Sequence, residues 1–529
     1  MKPVAPSEVQ AKWLFVACFV SLVATSFAFG TRTFFLSDLQ PVFGLSETQF
    51  GEIIGAGLWP FAISIVLFSL VIDRVGYGRA MAFAFGCHVA STLLTIFAQG
   101  YWGLYWGAFI CALGNGAVEA VINPVVASMF PKAKTKWLTI LHAGWPMGIV
   151  LGSVLAIALG AEGVLGGLVS EESAWRWKVA LVLLPTVIYG VMMLRCRFPV
   201  NERVAAGVPY RVMLREVGGL GCLIVSGLIV WEMTRVGVAS GWFELTGGAL
   251  LGVRVGITLA MTIPYWVYVR SAGSPLFVFL TLLMIPLATT ELGTDGWIKA
   301  LMEPAMSAIF GVDGGWVLVY TASIMIVMRF CIGPIVRVLG PLGVLCISAA
   351  LAAVGIYLLA GVEGAGIVIL AATIYGVGQS FFWPTTLGLV AERFPKGGAM
   401  TLNTIAGVGM LGVGIIGTPL LGNLQDQQID AQLADAPVIY ERVMDPEPTA
   451  SVFGNYRKVI DDQVAALPQA DQAKVGDLVD EAKSSALVYA AIAPFGLSLC
   501  YLGLIVYFKS RGGYRAVQLV ADSESQPSP

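Results

Sequence analysis

Ser69-Leu70-Val71-Ile72-Asp73-Arg74-Val75-Gly76-Tyr77-Gly78-Arg79 is a short charged turn between two long apolar runs. A partner lies 264 residues downstream, where Arg337-Val338-Leu339-Gly340 again sets a charge and a glycine between apolar runs. A second pair keeps the same offset, Phe130-Pro131-Lys132 with Phe394-Pro395-Lys396. Two signatures at one constant spacing mark a duplicated architecture better than either similarity alone. The same offset carries the first apolar run, at residue 13, onto 277, where the ninth begins. The chain therefore reads as a six-helix half over 1–197, an inserted segment with two extra spans over 198–275, and a second six-helix half over 276–529. Two inserted spans keep the second half in the orientation of the first.

Composition supplies the solvent. Of 529 residues 57% are hydrophobic and only 12% charged, with mean hydropathy +0.81, more apolar surface than a soluble interior can hide. A hydrocarbon core of roughly 30 Å takes about 20 apolar helical residues, since every lipid-exposed backbone group must be satisfied within its own segment. Fourteen stretches meet that requirement, the first at 13–36 and the last at 486–508. The expected fold is an all-α integral membrane protein, two six-helix halves in internal repeat around a central cavity. The run Trp13 to Leu36 is too long for the apolar region of a signal peptide and reads as a retained first span.

Lys and Arg stay on the cytoplasmic side of short loops. With the N-terminus inside, Arg74, Arg79, Lys132, Lys134, Lys136, the arginines from Arg195 to Arg215, Arg270, Arg337, Arg393 and Lys396 all fall in the cytoplasm. Both termini are then cytoplasmic and the protein is placed in the cell inner membrane. The one long loop, 422–485, is acidic and lies outside, where it reads either as short amphipathic helices or as a solvated cap.

The residue inventory excludes other classes. The eight cysteines lie in or beside apolar runs without a CxxC pair, which suits reduced packing residues. Two histidines make no metal cluster, and no P-loop, HExxH or GxSxG element is present, so no enzyme, cofactor or metal is expected. The formal net charge of -2 gives no reason to expect nucleic acid. Expected partners are a small-molecule solute, protons and the lipid bilayer, with the chain monomeric.

The turn after the second run resembles the G-x-x-x-D-R/K-x-G-R/K-R/K motif of the major facilitator superfamily. Asp73, Arg74 and Gly76 fit, Ser69 replaces the leading Gly, and Gly78 interrupts the basic pair before Arg79. The resemblance covers both halves but neither the insert nor the outer loop, and it implies that Asp73, Arg74, Gly76 and Arg79 latch the halves in one state. Gly116-Ala117-Val118-Glu119-Ala120-Val121-Ile122-Asn123-Pro124 is similar to the Glu-x-x-x-Asn-Pro element of the fucose:proton symporter branch. His142 falls where related sugar porters often carry a polar residue. That branch has an acidic residue in its first helix, whereas this chain has Arg32 there.

Charge inside a span is costly, about 2.5 to 3.5 kcal/mol on insertion scales, so each case needs a partner or a watery cavity. Glu119 and Asn123, four residues apart, share a helix face. A carboxyl there can hold and release a proton, as a proton carrier must, or can sit in a permanent ion pair or interhelical hydrogen bond. Arg32 has three readings: a partner tuning Glu119, a clamp for an anionic substrate, or a side chain reaching the surface. His142 reads as a hydrogen-bonded packing residue or a relay. Glu291 and Asp295 mark the outer end of the ninth span, where carboxylates are usually solvated; the repeat nevertheless makes Glu291 and Trp297 cavity candidates. Gln379, Trp383 and Asn403 offer the hydrogen bonding and stacking that hold a sugar. The glycines from Gly407 to Gly417 read as a close helix approach, with a hinge as the second reading. Together these suggest a secondary active transporter of a small polar solute, possible sugars included, with proton coupling. The alternatives are an exporter of amphipathic compounds and a transporter-derived sensor without flux.

Overall fold

The structure, a computed structural model, describes residues 8–45, 47–159, 164–312, 314–361, 364–448 and 453–519. They are almost entirely helical, and thirteen helices among them are long and apolar enough to cross a membrane. The expected tenth span corresponds to a shorter apolar helix, Gly315–Phe330.

In the first half, α1 (Glu8–Phe43), α2 (Trp59–Val75), α3 (Tyr77–Ile96) and α4 (Tyr101–Met129) are followed by a broken span. Its pieces are α5 (Lys134–His142) and α6 (Gly144–Ala158), and α7 (Leu183–Met193) completes the half. The insert supplies α8 (Tyr210–Ala239) and α9 (Gly247–Val269). The second half begins with α10 (Pro275–Ala288) and α11 (Thr294–Phe310), joined through a π-helical turn at Thr289–Gly293. It continues with α12 (Gly315–Phe330), α13 (Ile332–Ala360), α14 (Ala365–Gln379), α15 (Phe382–Arg393) and α16 (Gly398–Gly412). A second π turn, Val413–Gly417, leads into α17 (Thr418–Ala434), and α18 (Gln469–Ala490) leads into α19 (Ile492–Ser510).

The repeat is visible in the backbone. Gly76 and Gly340 hold φ of 86° and 66° with ψ of 146° and 167°, a conformation that glycine reaches without a Cβ penalty. Phe130 and Phe394, which end α4 and α15, both have φ of -125°, with ψ of 61° and 50°. Each reverses the chain before a proline, whose ring disfavours the helical region for the residue preceding it.

The insert lies at the rim. α8 packs on α16 and α10, while α9 packs on α8 and buries only Thr262 and Val269. Its remaining surface, Leu251, Ile257, Ile263 and Val267 among others, is exposed and apolar, as lipid contact requires. The loop expected as short helices or a solvated cap has a core of its own. Ile429, Leu433, Val443, Leu467, Val475 and Ala482 pack together where the polar end of α17 meets α18.

Candidate functional site

Proline shapes the centre. It has no N–H, so in a helix the carbonyl four residues before it loses its partner. Pro124 in α4 frees the Ala120 carbonyl, and Asn403 Nδ2 of α16 donates to it at 3.2 Å. Pro146 frees His142 and Pro384 frees Ser380, at the breaks between α5 and α6 and between α14 and α15. One side chain takes both: Arg329 of α12 donates from Nη1 to the His142 carbonyl at 2.7 Å and from Nε to the Ser380 carbonyl at 2.6 Å. Three freed carbonyls are thus satisfied by two side chains of the second half, and two of the three bonds cross between halves.

Arg329 is 1% exposed and completes its charge with Glu291, 2% exposed, at 2.7 Å from Nη2 to Oε1. Glu291 lies in the π turn after α10, a local widening common at functional sites. Its Oε2 accepts from the Trp383 backbone N–H at 3.0 Å, so the carboxylate also faces the positive N-terminus of α15. Glu291 and Asp295 are not a solvated helix end. The helix continues through α11 to Phe310 and both carboxyls are buried, Asp295 accepting from Gln379 Nε2 at 3.3 Å.

On the first-half side, Asn123 Nδ2 donates to Glu119 Oε2 at 2.6 Å, and His142 Nε2 is 3.0 Å from Asn123 Oδ1. An amide oxygen only accepts, so His142 carries its proton on Nε2 here. Side chain and backbone of His142 therefore join two networks: its ring ends the Glu119–Asn123 chain, and its carbonyl holds Arg329. Glu119, His142, Glu291 and Arg329 line one cavity of ≈ 290 Å³ between the halves, with Phe61, Trp145, Leu292, Trp383 and Met410 as apolar walls. Gly409 lets the Trp383 ring lie against the α16 backbone, and Gly407 does the same for Val66 of α2.

Not every sequence candidate reaches this cavity. Arg32 lines a separate pocket of the first half with Thr31, Ile53, Ser91 and Thr92, and no ion pair joins it to Glu119. Gln379 and Asn403 are buried behind the wall in the bonds given above. The side chain of Trp297 lies outside the described residues. Sequence reading left out Arg329, although a proline four residues after each of its carbonyl partners was visible.

The halves are also closed against each other at the face that carries Asp73. Glu392 of α15 accepts from Thr135 Oγ1 at 2.6 Å and from the Thr135 N–H at 3.2 Å, at the first turn of α5. Its second oxygen accepts from the Tyr514 hydroxyl at 2.8 Å. Burial and the neighbouring carboxylate push that hydroxyl well above its ordinary range. Lys134 donates to the Ala391 carbonyl at 3.2 Å and pairs with Glu202 at 2.5 Å, and Ser69 Oγ reaches Met400 Sδ at 3.2 Å. Asp73 pairs with Arg203 of the insert, whose side chain packs beside Gly398 at the start of α16. Arg74 sits 5.8 Å from the Tyr210 ring centroid, Gly76 makes the turn, and Arg79 is exposed. Asp73→Asn removes the ion pair at a distance from the cavity. It should lower turnover several-fold with substrate affinity within about twofold of wild type; a large affinity loss at normal turnover, in a paired binding and flux assay, would contradict this.

The Major Facilitator Superfamily profile matches residues 15–419. A Helicobacter pylori protein described as a "Probable sugar efflux transporter" is 24% identical over 213 residues, 38% of this chain and 52% of that one. A gallate transporter of Pseudomonas putida is 25% identical over 147 residues, 27% of this chain and 33% of that one. The chain thus spans between a third and about half the length of these curated relatives. Among solved structures, a human organic anion transporter superposes with TM-score 0.56 at 13% identity, covering 93% of this chain and 100% of that one. The fucose:proton symporter of E. coli gives 0.52 at 14% identity, over 92% and 98%. A proton:xylose symporter gives 0.57 at 13% identity, over 92% and 95%. At such identities these likenesses show the fold.

Proposed function

Because this chain belongs to the major facilitator superfamily and is a transporter rather than an enzyme, we propose that it is a secondary active transporter of a small polar solute, coupled to protons. The carrying observation is the buried chain Glu119–Asn123–His142, which meets the inter-half contact of Arg329 at a single residue. A carboxyl buried in the cavity wall can change charge only by exchanging a proton. The bond it shares with Asn123 transmits that change to His142, and the His142 carbonyl is held by the opposite half. Rocking of the halves about the cavity must break or remake the Arg329 bond to His142, and this supplies the coupling between proton and movement. The closed face then corresponds to a shut cytoplasmic exit. The relatives named above, a sugar efflux protein and a gallate carrier, are both compatible with a small polar solute. Uptake of candidate solutes by purified protein in liposomes, with and without a pH gradient, tests the reading; ligand binding without flux under any gradient would favour a sensor.

Sidedness belongs to the same proposal: the protein lies in the inner membrane with both termini cytoplasmic. Single cysteines at Arg197 and Asp462, both exposed, in a background lacking native cysteines, should label from inside and outside respectively. An impermeant maleimide applied to intact and then to permeabilised cells reads this. Labelling of both from one side would overturn the topology.

A further inference from the structure

We propose that the substrate is a small organic carboxylate with a flat apolar body, gripped by Arg329; this rests on the transporter reading above. Arginine carries five N–H donors, and three of those on Arg329 are committed, to Ser380, His142 and Glu291. One donor on each terminal nitrogen remains, and Arg329 lines the cavity. Two donors on adjacent nitrogens are the complement of the two oxygens of a carboxylate. The guanidinium cannot swing away, because Nε and Nη1 are tied to proline-freed carbonyls of both halves. It is a positioned fork in the cavity wall, and binding there spends little on ordering the side chain.

The remainder of the lining chooses between solute classes. Among the described residues, no uncharged amide or hydroxyl side chain lines the cavity. Asn123, Gln379 and Asn403, which could have served a polyol, are turned into bonds with Glu119, Asp295 and the Ala120 carbonyl. A sugar would bring many hydroxyls to a lining in which Glu119 and His142 are bonded to Asn123, Glu291 is bonded to Arg329, and the rest is Phe61, Leu292, Trp383, Met410 and Trp145 with its single indole N–H, so that several hydroxyls would lack partners, which is unfavourable in a buried site. A ring or short chain ending in a carboxylate matches the same wall, its body against the aromatic faces and its charge at Arg329.

Glu291 is the internal competitor, since it already draws on the Arg329 charge from 2.7 Å. Neutralising it should tighten an anionic ligand, whereas removing Arg329 should abolish binding. The experiment uses full-length protein in nanodiscs, with benzoate, phenylacetate, benzamide and L-fucose as probes, read by thermal unfolding and titration calorimetry. Benzoate and phenylacetate should stabilise the protein, and benzamide and fucose should not. Glu291→Gln should bind benzoate about tenfold more tightly than wild type, with a larger thermal shift, because the anion then compensates a buried cation. Arg329→Lys should weaken benzoate binding, since a point charge cannot offer the paired donors. If Arg329→Gln fails to fold, Glu291→Gln and Arg329→Lys still decide the matter. The inference is overturned if benzamide or fucose stabilises as well as benzoate, if Glu291→Gln leaves benzoate affinity unchanged or weaker, or if no carboxylate in the panel shifts the transition. Labelled benzoate in liposomes separates the two levels: binding without flux refutes the transporter reading and leaves the carboxylate site, while fucose flux without carboxylate binding does the reverse.

Discussion

Glu119→Gln should abolish uptake driven by a pH gradient while leaving substrate exchange at equal pH within about threefold of wild type. The substitution keeps size and an oxygen acceptor for Asn123 Nδ2, so the Glu119–Asn123–His142 chain can re-form. What it removes is the exchangeable proton. Exchange needs the loaded carrier to move in both directions but needs no net proton transfer, so the two assays separate coupling from movement. A purely structural Glu119 predicts a different pattern, with less folded protein in the membrane and loss of both activities together. Gradient-driven uptake by Glu119→Gln at the wild-type rate would refute coupling through this residue.

The second large effect concerns the ion pair. Glu291→Leu leaves the Arg329 guanidinium, 1% exposed, without its counter-charge. Breaking a buried pair from one side costs about 3 to 5 kcal/mol, so folded yield and melting temperature should fall sharply. The double substitution Glu291→Leu with Arg329→Met removes both charges and should recover the part of the lost thermal stability due to the unpaired cation, while remaining below wild type because the His142 and Ser380 carbonyls and the Trp383 N–H lose their partners. Transport should not recover with it, since the double variant also loses the donors to His142 and Ser380. Size-exclusion profiles and melting curves read the first half of this expectation, and liposome flux the second. Recovery of full transport in the double variant would remove Arg329 from the machinery.

Much of the scaffold was legible because it depends on local signals. The 264-residue offset comes from turns that need a glycine at positive φ or a residue kept out of the helical region before proline, and Gly76, Gly340, Phe130 and Phe394 meet those needs in the structure. Glu119, Asn123 and His142 were legible as polar groups in apolar helices, and the spacing of the first two already placed them on one face. Arg329 was not, because its meaning lies in carbonyls 187 and 51 residues away in sequence. A scan for prolines in apolar helices, followed four residues back, would have marked the carbonyls that need a donor. Glu291 was read too near a helix end because the π turn hides the continuation of the span through α11 to Phe310. The partner of Asp73 was hidden for a similar reason: Arg203 belongs to the insert, which the motif resemblance does not cover.

The folded unit on α17 and α18 has a practical consequence. A 56.1 kDa chain surrounded by detergent gives single-particle electron images few features by which to be oriented. Here two spans of the second half continue as helices into a compact body with its own apolar core, braced by Asp430 accepting from the Tyr440 hydroxyl at 2.6 Å and from the Arg457 N–H at 2.9 Å. That body is a built-in fiducial fixed to one half only. A binder raised against it would mark the tilt of the second half in each image, so the distribution of states could be sorted without labelling the transport path.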